Sequence, residues 1–173
     1  MFLKDYVPRD KIFVDANVFI YHALDEPSFG GSSSDFLGLV ESGEIEAITD
    51  TLVVDEVFFK ILMGKASELM EGLTLKRLKK RIAEDAELRK SVYSSVESYE
   101  EYISVLLATG LEIVEVNTSL VKEALRLGTE YGLLISDSVH LAAMRRFGIC
   151  DMATNDSDFE RVHFVRVWKP LKH

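Results

Sequence analysis

The chain has 173 residues, 47% of them hydrophobic and 28% charged, a length that can bury one sizeable core and a composition that excludes a disordered chain. With 20 Lys and Arg against 29 Asp and Glu the formal net charge is -9, so the surface as a whole repels nucleic acid. A polyanionic substrate would need a local basic patch, or metal ions that cancel carboxylate charge at one spot. The one cysteine, Cys150, excludes an intramolecular disulfide and a thiolate zinc cluster and is expected to be a small core residue. No apolar run approaches a membrane span and the first residues lack the apolar core of a leader, so no membrane partner and a cytoplasmic location are expected.

In chain order, "KIFVDANVFIYHAL" reads as a strand over 11–19, with Ile12, Val14, Val18 and Ile20 as buried positions. Asp15 and Asn17 interrupt it, although a lone carboxylate in an apolar run is costly. "DEPSFGGSSS" is rich in turn residues, its "GGSSS" at 30–34 is the closest thing to a linker, and a helix is expected over about 34–42. "EIEAITD" reads as a second strand. "TLVVDEVFFKILM" places Val53, Val54, Val57, Phe58, Ile61 and Leu62 at helical spacing, with Thr51 as N-cap. A long helical segment follows over about 64–108, interrupted at Gly72. "LEIVEV" is a third strand and 118–131 an amphipathic helix, after which "GLLISD" leads into a helix over 137–147 with Ser136 as N-cap. "CDMATND" and "HFVRVW" complete the strands. Strands separated by helices predict an α/β fold, a five-stranded mostly parallel sheet flanked by helices, in a single domain over 1–173 with a helical insertion.

In open parallel sheets, functional residues gather beyond the carboxyl ends of the strands near the point where strand order reverses. Asp15 near the end of the first strand, Asp156 after "DMAT" and Asp137 at the start of a helix all fit that address. Glu56 sits in the first turns of the helix after the second strand, where the macrodipole favours a carboxylate. Four converging carboxylates repel one another, and a hard cation such as Mg²⁺ or Mn²⁺, which chooses oxygen ligands, resolves the conflict. An ion held there would activate water for phosphodiester hydrolysis. Each residue also has a plainer reading: Asp15 as a turn cap, Asp137 as a first-turn helix residue, Glu56 as a surface residue, and Asp156 as one of several turn residues with Asn155 and Asp158.

"FVDANVFI", "LVVDEVFFKIL", "LLISDSVHLAAMRRFG" and "MATNDSDFERV", in this order and spacing, resemble the signature segments of the PIN-domain family, whose prokaryotic members include VapC-like ribonucleases. The resemblance covers roughly residues 11–167. It implies a Mg²⁺- or Mn²⁺-dependent endoribonuclease acting on RNA, with Asp15, Glu56, Asp137 and Asp156 as metal ligands and catalytic residues. Asn17 and Thr154 stand at the positions that orient ligands or water. It also implies a homodimer and a possible antitoxin protein as partner. The 64–108 segment is longer than in compact toxin members, and its helices suit a lid, a substrate clamp or a dimer surface.

Candidate RNA contacts are Lys76 and Lys80, within "LKRLKKR", and Arg145 and Arg146 beyond Asp137. Pairing of Lys80 with Glu84 and Arg81 with Asp85 makes a solvated helix face the plainer account of the first group. His140, three residues after Asp137, is better explained as a packed histidine than as a base, and His22, His163 and His173 have no constellation around them. Two rivals remain: a non-catalytic PIN-like module that binds RNA or protein, and an aspartyl phosphatase, which would usually have an acid where Asn17 stands. No G-x-G-x-x-G follows the first strand, which leaves a dinucleotide site weakest.

Overall fold

The structure is a computed structural model describing residues 1–172. Five short strands, β1 (Ile12–Val14), β2 (Ala47–Asp50), β3 (Leu111–Val114), β4 (Asp151–Ala153) and β5 (Arg166–Trp168), form one sheet in the order β3-β2-β1-β4-β5, and every pairing is parallel. Successive strands step outward one way from β1 to β3 and the other way from β4 to β5, so strand order reverses between β1 and β4. Burial on both faces explains why β1 reads as a continuous apolar run without alternation, and β2, though it ends in Thr49 and Asp50, is buried along its whole length.

Among the described residues seven α-helices surround the sheet: α1 (Ala16–Ala23), α2 (Gly30–Glu41), α3 (Thr51–Leu69), α4 (Leu75–Glu84), α5 (Ala86–Thr109), α6 (Thr118–Tyr131) and α7 (Ile135–Phe147). Right-handed crossovers send the helices after β1 and β2 to one face and those after β3 to the other. The packing agrees, since α1 lies on α2 and α3, α3 lies on α5, and α6 and α7 pair with each other. The core between these layers includes Phe13, Phe19, Ile48, Leu106, Leu141 and Phe159. Among the described residues no helix is long and apolar enough to cross a membrane.

Several expected boundaries move, each for a local reason. The first strand stops at Val14 rather than reaching residue 19, because Val18 and Phe19 are buried from a helix whose N-cap is Asp15. "GGSSS" is no linker; it forms the first turns of α2, where Gly30 lies so close to α1 that a Cβ would come within 3.1 Å of the Tyr21 carbonyl oxygen. Asp50, not Thr51, caps α3, accepting from the Leu52 and Val53 N–H groups at 3.0 Å each. Helix α7 starts at Ile135 after Leu134 and is not capped by Ser136. The 64–108 segment breaks twice, at Gly72 with φ 59° and at Asp85, whose carboxylate caps α5. A second, smaller apolar cluster of Ala66, Met70, Leu78, Leu88 and Val92 joins α3, α4 and α5 away from the sheet core.

Candidate active site

The carboxyl ends of β1 and β4, next to each other at the reversal of strand order, build the centre of the site. The register pairs Val14 with Ala153, and the next residues, Asp15 and Thr154, are held by an Asp15 N–H bond to the Ala153 carbonyl at 3.0 Å. Asp15 is only 8% exposed. Its Oδ1 accepts from the Ala16 N–H at 2.8 Å, and its Oδ2 accepts from the Thr154 hydroxyl at 2.6 Å and from the Asn17 amide. Thr154 in turn accepts from Asn17 Nδ2 at 2.8 Å and from the Asp156 N–H at 3.0 Å, so its hydroxyl uses its donor and both lone pairs. Asn17 Oδ1 accepts from the Asn155 N–H at 3.0 Å, tying the β4 loop to α1. The carboxylate in an apolar run is therefore fully hydrogen-bonded at the bend from strand to helix.

Burial pushes the Asp15 carboxyl above its ordinary pKa, the charge of Glu56 adds to the rise, and His140, Thr154 and the Ala16 N–H oppose it. Asp137, in the first turn of α7, is half-buried; burial raises its pKa, and the nearby charges of Asp156 and Asp158 raise it further against the influence of His140. Glu56 is exposed on the second turn of α3 and acts on Asp15 through its charge. Asp156 caps the 3-10 turn Ser157–Arg161 by accepting from the Asp158 N–H at 2.8 Å, and Asp158 is engaged by Arg161. The four sequence-derived acids thus interact in two pairs, Asp15 with Glu56 and Asp137 with Asp156, and His140 acts on both Asp15 and Asp137. Among the described residues, however, no three His, Cys, Asp or Glu side chains stand close enough to form a ready-made ligand set.

The sequence reading passed over Asp50. It ends β2 with its carboxylate fully buried, and its Oδ2 accepts from His140 Nδ1 at 2.6 Å. Burial alone would lower the His140 pKa, but the bond and charge of Asp50, with the charges of Asp15 and Asp137, raise it. His140 is therefore a packed residue, and its influence opposes the rise in the pKa values of Asp15 and Asp137. Ordinary strand-end polarity at Asp50 was the only available signal, and Thr51 beside it looked the better cap.

The candidate RNA contacts lie elsewhere. Arg145 and Arg146 are exposed at the far end of α7, about 12 Å along its axis from Asp137 at 1.5 Å per residue, and Arg145 faces Glu123 at 3.8 Å. Lys76 and Lys80 are on α4, beyond the end of α3; the expected pairs Lys80–Glu84 and Arg81–Asp85 form at 4.0 and 2.6 Å. His22 bonds Tyr99 and His163 bonds Tyr131, while His173 lies outside the described residues.

Ribonuclease VapC2 of Methanocaldococcus jannaschii is 24% identical over 92% of this chain and 93% of its own length. Ribonuclease VapC6 of the same organism is 37% identical over a shorter stretch, 34% of this chain and 39% of that relative. Among solved structures, a toxin-antitoxin complex from Klebsiella pneumoniae shares the fold with a TM-score of 0.56 at 13% identity, over 90% of this chain and 95% of that one. The family model for the PIN domain matches residues 12–165, spanning β1 and the start of β5's approach with every acid described above. On that match, this chain belongs to the PIN domain family.

Proposed function

We propose that this chain is an endoribonuclease that hydrolyses RNA phosphodiester bonds with the help of Mg²⁺ or Mn²⁺, and that it is the toxin half of a toxin–antitoxin pair in the cytoplasm. The observation that carries the reading is Asp15: a buried carboxylate, hydrogen-bonded on both oxygens, at the reversal of strand order and within the field of Glu56. Structural need alone does not account for placing further acids around it. The donors are all oxygen, which suits a hard cation. Mg²⁺ usually keeps several waters and takes one or two carboxylates directly, so a loose set of acids fits it better than a closed cage would.

In this reading Asp15, Glu56, Asp137 and Asp156 hold the cation directly or through water. Bound there, it would supply acidified water and charge stabilisation at the scissile phosphate. Asn17 and Thr154 fix the Asp15 carboxylate so that its lone pairs keep one direction, and His140 with Asp50 limits the repulsion among the acids before the cation arrives. A homodimer and a small antitoxin protein covering the site belong to the same proposal, supported by the VapC names of the relatives and by the complex whose fold this chain shares.

The test is cleavage of labelled single-stranded and structured RNA in Mg²⁺, Mn²⁺ and EDTA. Asp15→Asn and Asp137→Asn should each lower the rate at least about 100-fold, more than loss of a supporting residue around a metal costs. Both should stay folded. Full cleavage in EDTA, or by both variants, would overturn the proposal; RNA binding without cleavage by the unaltered chain would favour a non-catalytic binding module.

A further inference from the structure

The hydrogen-bond chain that fixes Asp15 continues outward to an aromatic pair. Asn155, anchored by Asn17, donates from its side-chain amide to the Tyr21 hydroxyl at 3.0 Å. Tyr21 is four residues after Asn17 on α1, on the same helical face. Its half-buried ring stacks on that of Phe29, also half-buried, with centroids 5.1 Å apart and planes 28° from parallel.

The turn that carries Phe29 is braced from several sides. The Glu26 carboxylate accepts from the Ser28 N–H at 2.8 Å and the Phe29 N–H at 2.6 Å, and the Glu26 N–H reaches back to the Tyr21 carbonyl at 3.0 Å. Asp25, at φ 46°, is the one non-glycine residue with positive φ among the described residues, a conformation that an L side chain disfavours. Gly30 closes the turn where a Cβ would stand 3.1 Å from the Tyr21 oxygen and 3.3 Å from the Asp25 carbonyl carbon. Tyr21 and Phe29 are therefore held in place before any ligand arrives.

Charge gives this part of the surface no hold on a polyanion, since its neighbours Asp25 and Glu26 are acidic and the chain carries -9. Stacking on a nucleobase does not depend on charge, and every base offers a π face. We propose that Tyr21 and Phe29 form a stacking platform for one unpaired nucleobase of the RNA strand beside the bond that is cut. Because the Tyr21 hydroxyl accepts from Asn155, its own proton is free to donate to the same nucleotide. The proposal deepens the ribonuclease reading and rests on it for the identity of the strand.

The experiment titrates the full chain with labelled short single-stranded RNA in Ca²⁺, reading anisotropy, and repeats it with strands carrying one abasic position moved along the sequence. The unaltered protein should lose about tenfold in affinity at one abasic position, equally at low and high salt, because stacking is not an electrostatic term. Tyr21→Leu should bind the intact strand about tenfold more weakly and ignore the abasic position, whereas Tyr21→Phe keeps the preference. Phe29→Leu provides a second route should Tyr21→Leu fail to fold, as judged by circular dichroism. Equal binding of all strands by the unaltered protein, or an abasic preference that survives both leucine variants, would overturn the platform. A parallel cleavage assay in Mn²⁺ separates the two readings. Cutting without base preference defeats the platform alone, base preference without cutting defeats the ribonuclease alone, and neither binding nor cutting defeats both.

Discussion

Asn17 makes hydrogen bonds in three directions, to the Asp15 carboxylate, the Thr154 hydroxyl and the Asn155 N–H, and so joins β1, α1 and the loop after β4. Removing it by Asn17→Ala should leave Asp15 free to rotate about its remaining bonds. The expected result is a loss of about 10–100-fold in Mn²⁺ affinity or cleavage rate, the usual cost of a missing supporting residue, read by calorimetric titration and RNA cleavage. At this scale the sequence was most legible where residue type clashed with surroundings. Asp15 and Asn17 stood out because polar side chains in an apolar run need partners, whereas Thr154 was marked only by its place in the segment that resembles the PIN-domain family. Asp50 gave no such clash, and its partner His140 is 90 residues away, a separation over which one sequence carries no pairing signal.

The same pair links residues to elements. Asp50 closes β2, starts α3 by accepting from two backbone N–H groups, and holds α7 through His140. Asp50→Ala removes the cap and leaves the buried His140 ring without its partner at once, and should cost about 3–5 kcal/mol in urea unfolding, as breaking a buried pair does. Asp50→Asn should cost less, since an amide oxygen still caps α3. Element type and order could be read because apolar spacing differs between helix and strand, and the bounds of α6 agree with the 118–131 expected. Boundaries were harder. Val14 and Val18 satisfy both an alternating and a four-residue spacing, so the passage from β1 to α1 shows no break in pattern; the break is the cap made by the Asp15 side chain. The start of α2 was hidden because glycines and serines read as a loop, whereas Gly30 is there for close approach to α1.

For the whole molecule, the titrating groups combine into a pH profile. Asp15 and Asp137 have pKa values raised above the ordinary 3.8, so each binds its proton more tightly when folded, and ionising them lowers stability as pH rises through that window. His140 is raised above 6.5, so its contribution is complete below that value and is lost as pH climbs through the folded pKa. The opposite sign holds for Asp85, lowered by the Leu88 N–H and Arg81, and for Asp151, where Arg166 and Trp168 outweigh burial; their stabilisation is lost in acid. In EDTA the melting temperature should therefore peak between about pH 4 and 6.5 and fall on the alkaline side. Mn²⁺, which binds the ionised acids of the folded state, should flatten that fall. A profile that rises steadily from pH 6.5 upward in EDTA would contradict these assignments.

The bond from Thr154 to Asp15 joins positions 139 residues apart, because β4 must slot in beside β1 after most of the polypeptide has been made. A chain emerging from the ribosome can assemble β1, β2 and β3 with their helices, yet Asp15 has no hydroxyl partner until Thr154 clears the exit tunnel. The hydrogen-bond network around Asp15 is thus among the last parts of the fold that can close, and it depends on nearly the whole length of the polypeptide having been made.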